Sequence, residues 1–325
     1  MQVQLQQLRY FLAVAETRHF TQAADLLGVA QPTLSKQVHT LESSLGAPLF
    51  ERIRGGITLT AAGETLLPLA RRMVADADAA RDAVQDIVGL RRGAVRLGAT
   101  PSLCSSLVPA VLHTFRSVHP EIQLHVTEGS SPDLSADLLA HTLDLALIVR
   151  PGQGVDPALD AAPILRESLV VASVASGPPP TVSRHLTLEE LRHTPLVMFR
   201  PGYDLRDVTL EACRRAGFTP RFAVEGGEMD AVLAFVEAGL GVALVPSMVL
   251  ANRPLLRATP LASPGMRRTI ALAHRKRSVL PHAAAALRTV LLDHIAAGEA
   301  LPEGVTVLTG DSVDSITPPS GASTG

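Results

Sequence analysis

Between Leu8 and Thr60 the chain reads LRYFLAVAETRHFTQAADLLGVAQPTLSKQVHTLESSLGAPLFERIRGGITLT, and no other stretch restricts its fold as much. Leu8, Phe11, Leu12 and Ala15 recur at helical spacing, as do Ala23, Ala24 and Leu27, which predicts two short amphipathic helices. Gly28 follows the second run and suits the positive φ of a tight turn, while Ala23 and Ala24 are small enough for close helix crossing. A third helix is expected from Gln31, because Pro32 can occupy a first-turn position whose N–H would have no intrahelical partner. Leu34, Val38, Leu41 and Leu45 then form its apolar stripe. Gln31, Thr33, Ser35, Lys36 and His39 point largely the other way, as a helix lying in a DNA major groove requires and as a merely solvated face also does.

The segment beyond this helix narrows the choice. Arg52-Ile53-Arg54-Gly55-Gly56-Ile57-Thr58-Leu59 reads as two short strands around a Gly-Gly tip with two arginines at the base, the form of a wing that touches backbone or minor groove. The segments LRYFLAVAE, FTQAADLL, QPTLSKQV, LESSLGAPLFER and LTAAGE succeed one another without a gap. In this order and spacing they resemble the winged helix-turn-helix of the LysR-type transcriptional regulators. The resemblance places DNA contacts at Gln31, Pro32, Thr33, Ser35, Lys36, His39, Arg52 and Arg54, with Thr21 ahead of them. One departure is Ala30, where members of the family commonly carry a capping serine; loss of such a cap costs about 1 kcal/mol.

Charge and cysteine usage set bounds on partners. The 325 residues carry a formal net charge of −2, so affinity for a polyanion has to come from local cations such as Arg9, Arg18, Lys36, Arg52 and Arg54, and more than one subunit is expected to share the task. Cys104 and Cys213 are the only cysteines; they build no disulfide framework and fit a reducing, cytoplasmic setting. No basic-then-apolar leader with a small-residue cleavage site is visible, and no apolar run approaches ~18 residues, so neither export nor a membrane span is expected.

After the wing, Thr60 is positioned to cap a helix from about Ala61 to Leu90, with Leu66, Leu69, Met73, Ala77, Ala80, Val84 and Ile87 along one side. Such a stripe is a dimer seam or a core-facing surface, and at about 1.5 Å per residue the helix spans ~45 Å, more than a small domain needs. In the LysR family this position is the linker helix that pairs two subunits. From Ala94 the pattern changes to strands at 95–99, 122–126 and 143–149 separated by helices at 107–118 and 134–141, a βαβαβ order that predicts a parallel sheet. A second set begins near Pro163 and runs to Val245, and the chain returns through Thr269–Ala273 to a last helix from Pro281. The fold class expected is therefore α/β with an N-terminal all-α winged helix-turn-helix and a C-terminal domain of two lobes. That domain resembles the LysR effector-binding domain and, through it, type 2 periplasmic binding proteins. The expected division is residues 1–60, 61–92 and 93–300, with the second lobe at about 164–268 and a disordered tail at 301–325 that is rich in Ser, Thr, Gly and Pro.

In an open α/β sheet ligands sit beyond the carboxyl ends of the strands, which points to the cleft between the lobes. Thr100, Pro101 and Ser102 follow the first strand and open a helix, either as an anion seat or as a cap. Ser130 and Ser131 hold an analogous turn. Phe199, Arg200 and Gly202 end a strand of the second lobe, and Arg150 lies past the third strand of the first. Each arginine either pairs a ligand carboxylate or makes a surface ion pair. The partners expected are double-stranded DNA, a small carboxylate or other anion, a second or further copies of the chain as homodimer or homotetramer, and RNA polymerase indirectly; no cofactor is expected.

Enzymatic readings fail on spacing. Gly239-Leu240-Gly241 lacks a third glycine and precedes a strand, unlike a dinucleotide fingerprint. The eleven histidines show no two-ligand helical spacing with a third partner. Cys104 has no local base and carboxylate, and it lies in a different expected lobe from Cys213, which makes a thiol-based redox regulator the weaker alternative. A solute-binding protein, the other alternative, would need an export signal and no winged helix.

Overall fold

The computed structural model describes residues 3–53, 56–87, 93–150, 154–276, 278–298 and 301–308. At the N-terminus α1 (Leu5–Thr17), α2 (Phe20–Leu26) and α3 (Gln31–Leu45) pack on one another. The turn between α2 and α3 places Gly28 at φ 64°, and Gly46 ends α3 at φ 74°, both in the region glycine enters without a Cβ penalty. Val14, Ala23, Ala24, Leu34 and Val38 close the core of the helix-turn-helix. Leu8, Phe11, Leu41 and Leu49 form a second cluster that reaches toward the next long helix. Leu27, expected on the apolar side of α2, caps it instead and is 36% exposed.

The wing is an antiparallel pair, β1 (Phe50–Ile53) and β2 (Gly56–Leu59), with Arg52 opposite Ile57. Arg54 and Gly55 at its tip lie outside the described residues. Helix α4 (Ala61–Ile87) comes next. Its start is capped as the sequence implies: the Thr60 hydroxyl accepts from Gly63 N at 3.1 Å and donates to the Pro48 carbonyl at 2.6 Å. The expected extension to Leu90, and Arg91 and Arg92, fall outside the described residues.

The C-terminal region is built on an eight-stranded mixed sheet. β3 (Gly93–Ala99) leads through α5 (Pro101–Cys104) and α6 (Leu107–Val118) to β4 (Ile122–Glu128), then through α7 (Ser131–Leu139) to β5 (Leu145–Val149). β3 lies between β4 and β5 and is parallel to both, the βαβαβ order read from the sequence. The next strand departs from expectation. The second set of elements, expected to begin near Pro163, opens inside β6 (Leu159–Val174), a 16-residue strand whose first half packs in the first lobe and whose second half packs in the second. The second lobe adds β7 (Leu196–Met198), α8 (Asp204–Arg215), β8 (Phe222–Glu225), α9 (Met229–Glu237), β9 (Ala243–Pro246) and β10 (Leu256–Pro260), the last not foreseen. β11 (Met266–Arg275) runs back antiparallel to both β6 and β5, and α10 (His282–Ala297) covers the first lobe.

The expectation of a disordered tail from residue 301 is corrected at its start. β12 (Val305–Val307) pairs antiparallel with β6, Val305 opposite Glu167, and Leu308 N donates to the Ile164 carbonyl at 2.9 Å. Composition misleads here because the pairing is made by backbone groups, which Ser, Thr and Gly neighbours supply as well as any. Residues 309–325 lie outside the described residues.

Gly63 generates a prediction. A Cβ there would lie 2.2 Å from the Leu49 carbonyl oxygen, although alanine is favoured over glycine in a helix by about 1 kcal/mol. Gly63→Ala is expected to destabilise the N-terminal unit by roughly 1–3 kcal/mol in urea denaturation, as forced overpacking does; a stabilised variant would contradict the close approach of α4 to the wing.

Candidate DNA interface and interlobe cavity

Helix α3 separates its faces as a reading helix must. Leu34, Val38 and Leu41 are buried, whereas Gln31, Pro32, Thr33, Lys36 and His39 are exposed and Ser35 is half-buried. No side chain caps the helix at Ala30; Thr33 N reaches the Ala30 carbonyl alone. Thr21 is exposed at the first turn of α2, its N–H donated to His19 Nδ1 at 3.2 Å. Glu42, which the sequence does not single out, ties α3 to the wing by accepting from Leu49 N at 2.8 Å and Phe50 N at 3.4 Å. Phe50 in turn packs against Phe11 and Phe20 at centroid distances of 5.3 and 5.9 Å. The wing's bearing relative to α3 is thereby set by a half-buried carboxylate and an aromatic wedge. Among the local cations, Arg18 stands exposed at the αL end of α1, but Arg9 is committed to Asp78 of α4 and is not a free phosphate ligand.

The second site is a cavity of about 970 Å³ between the lobes. Of the residues expected there, Thr100, Pro101, Ser102, Ser130, Arg150, Arg200 and Gly202 line it. Phe199 does not: it is 1% exposed and stacks flat on Tyr203 at 4.6 Å, so Tyr203 forms the wall and Phe199 the core behind it. The choice between capping and ligand seat divides by residue. The Thr100 hydroxyl makes no cap bond to α5 and its partner is Ser102 Oγ at 3.4 Å. Ser130 does cap α7, accepting from Asp133 N at 3.3 Å and donating to Asp133 Oδ2 at 2.6 Å. Arg200 donates to Glu228 at 2.7 Å, so its charge is largely answered within the protein.

Sequence reasoning missed Arg268, Tyr203, Glu128 and Glu228, which line the same cavity. Arg268 donates to Ser102 Oγ at 2.9 Å. Burial pushes the Glu128 carboxyl above its ordinary range, and the neighbouring Glu228 and Asp230 push it further. Burial and Asp207 raise Asp204 against the pull of Arg268. The walls thus hold arginines and reluctant carboxylates together, not a uniformly positive lining. Among the described residues no cluster of His, Cys, Asp and Glu could hold a metal, and no helix is long and apolar enough to cross a membrane.

Cys104 and Cys213 are both free and lie in different hydrophobic clusters. Burial, with Glu128 adding to it, pushes Cys104 up to about 12, and burial alone raises Cys213.

A reader helix carried on a winged unit, together with a two-lobed cavity, defines a ligand-responsive DNA-binding regulator. Comparison with known proteins supplies the family. The model of the bacterial regulatory helix-turn-helix protein, lysR family, matches residues 5–64, and that of the LysR substrate binding domain matches residues 89–296. The transcriptional dual regulator GltC of Bacillus subtilis is 31% identical over 284 residues, covering 86% of this chain and 94% of the relative. A probable hydrogen peroxide-inducible genes activator of Mycobacterium avium is 35% identical over 275 residues, 83% of this chain and 88% of the relative. Full-length CbnR in complex with its target DNA superposes with a TM-score of 0.65 at 26% identity, over 91% of this chain and 99% of that one. A full-length OxyR variant from Pseudomonas aeruginosa gives a TM-score of 0.70 at 27% identity, over 91% and 95%. The chain belongs to the LysR family of transcriptional regulators; it is a DNA-binding regulator with an effector-binding domain, not an enzyme.

Moving a thiol from its ordinary 9.0 to about 12 cuts the thiolate present at pH 8 by roughly a thousandfold. Iodoacetamide at pH 8 is therefore expected to label Cys104 of the native protein far more slowly than after denaturation. Rapid native labelling, or a Cys104–Cys213 disulfide formed by dilute peroxide, would contradict this environment.

Proposed function

We propose that this regulator reads its operator with Gln31, Pro32, Thr33, Ser35, Lys36 and His39 of α3, supported by Thr21 and the wing arginines Arg52 and Arg54, and that a small anion in the interlobe cavity controls it. The observation that carries the reading is the coexistence in one chain of a solvent-facing polar helix stripe, its register fixed by Glu42, and a large cavity whose Thr100 hydroxyl is left uncommitted to capping. Lys36 suits a phosphate or guanine, Gln31 an adenine edge, and Thr33 a phosphate or thymine methyl. The division proposed is a DNA-binding unit at 1–60, a linker and dimerisation helix at 61–92 and an effector-binding unit from 93 onward.

A net charge of −2 and few cations per subunit require at least two copies on the DNA, paired through α4 as dimer or tetramer, with recognition helices in successive major grooves. Effector capture closes the lobes around Thr100–Ser102 and shifts the angle between subunits. DNA bending and polymerase contact change as a result, without any change in α3 itself. On this proposal the protein works in the cytoplasm, where DNA, polymerase and metabolic carboxylates meet.

Two substitutions test this reading. Lys36→Ala is expected to weaken operator binding in gel-shift titrations and to lower the dependence of log K on log salt by about 1; an unchanged slope would remove Lys36 from the phosphate contacts. Thr100→Val, which keeps shape and deletes the hydroxyl, is expected to abolish response to the effector while basal operator affinity stays within about twofold. Intact induction would remove Thr100 from the cavity's ligand set.

A further inference from the structure

Helix α4 is joined to the DNA-reading unit by packing and by one charge contact. Leu66, Leu67, Ala70 and Val74 of α4 share a hydrophobic cluster with Leu8, Phe11 and Leu12 of α1. One turn beyond Val74, Arg9 Nη2 of α1 donates to Asp78 Oδ1 of α4, and Arg81 Nη2 donates to the same oxygen at 2.9 Å. The Arg9 and Asp78 side chains are half-buried, each 31% exposed. The preceding pair on this helix, Arg72 with Asp76, lies within α4 itself.

What precedes Asp78 in α4 gives this contact its weight. Pro68 stands inside the helix; lacking an N–H, it leaves the Glu64 carbonyl without its i+4 donor, the local condition for a bend. The Thr60 cap and the close approach of Gly63 to the Leu49 carbonyl fix the helix ahead of the proline. Past it, Ala70 and Val74 hold α4 to α1 by apolar contact, which is non-directional. The guanidinium–carboxylate bond is directional and fixes an angle as well as an attachment. Asp78 lies about ten residues past Pro68, ~15 Å along the helix axis, so even a bond of modest strength resists bending there through a long arm. In two subunits paired through α4, recognition helices at least ~34 Å apart each stand about 17 Å from the pairing axis. A tilt of ~10° between α4 and the reading unit then displaces α3 by about 3 Å, close to the ~3.4 Å rise of one base pair.

We propose that Asp78, held by Arg9, is a positioning residue for operator recognition: the pair sets the angle between α4 and the DNA-reading unit, and with it the half-site spacing that the regulator accepts. The inference rests on the reading of α4 as the helix that pairs two subunits on DNA. It separates positioning from direct contact. Removing the Asp78 carboxylate leaves every cation of the reading unit in place, so affinity for DNA is not lost with it. A role confined to folding weakens binding to all spacings alike, whereas loss of the angle weakens the discrimination between them.

The test uses the full-length protein and a duplex that the wild type selects from a randomised pool, resynthesised with the segment between its half-sites lengthened or shortened by one base pair. The readout is the ratio of affinity for the selected spacing to affinity for each altered one, in gel-shift titrations at fixed salt. The wild type is expected to lose about tenfold on a change of one base pair, since either the DNA or the protein must deform. Arg9→Met and Asp78→Ala, the latter favourable to helix, are each expected to cut that ratio by about two- to fivefold. The exchange Arg9→Asp with Asp78→Arg is expected to return it to within about twofold of the wild type. An Asp78→Ala ratio equal to the wild type's overturns the proposal whatever happens to the affinity itself, and if Arg9→Met alone relaxes the ratio, Arg9 acts on DNA directly. An exchange variant as permissive as Asp78→Ala overturns it as well; each of these results leaves the pairing of subunits on DNA standing. A wild type that selects no duplex with two half-sites, or binds every spacing alike, overturns the paired-reader reading and the proposal with it.

Discussion

The pairing of β6 with β11 is the constraint on which the regulatory half of the molecule depends. These strands run antiparallel from Leu169 opposite Met266 to Leu159 opposite Arg275, and together they carry the chain between the two lobes. Every other strand of the large sheet hangs on one of them, directly or through β5 and β3. Their apolar positions feed the hydrophobic clusters of both lobes, with Leu165 and Ile270 in one and Leu169 and Val171 in the other. The inter-lobe cavity is lined in part by Leu169, Arg268 and Thr269 from the same two strands.

The DNA-reading half uses a different economy. Its core is small, and the orientation of α3 relative to the wing is held by Glu42 and by Phe50 wedged between Phe11 and Phe20. Arg9 of α1 pairs with Asp78 of α4, which Arg81 also contacts at 2.9 Å. The helix that separates the two halves is thus tied to the first helix of the reader by charge as well as by packing through Leu66 and Ala70.

How much of this was legible in the sequence varies with how local the cause is. The α3 stripe, the Thr60 cap and the parallel βαβ order come from residues close together in the chain, and 3.6- and 2-residue periodicities report them. Thr100 and Ser102 were legible as cavity residues because a strand-to-helix turn at the carboxyl edge of a sheet announces itself. Arg268 and Glu167 were not: they meet across 101 positions of sequence, and neither sits in a pattern that distinguishes it from other strand charges. The long reach of β6 was hidden because Pro163 reads as the start of a second set of elements, although the strand runs unbroken through it from Leu159 to Val174. Phe199 was misplaced because the residue after a strand can turn either way; its stacking on Tyr203 decides the direction. β12 escaped because three residues of backbone pairing leave almost no compositional trace.

The most direct test of the account is footprinting of the purified full-length protein on the DNA flanking its own gene, with and without a series of small carboxylates. The account predicts protected sites at least about one helical turn apart, with a boundary that shortens or shifts when one of the anions is added. Absence of any protection, or protection lying in a single short site that no compound alters, would contradict the coupling of a paired DNA reader to an anion-responsive cavity.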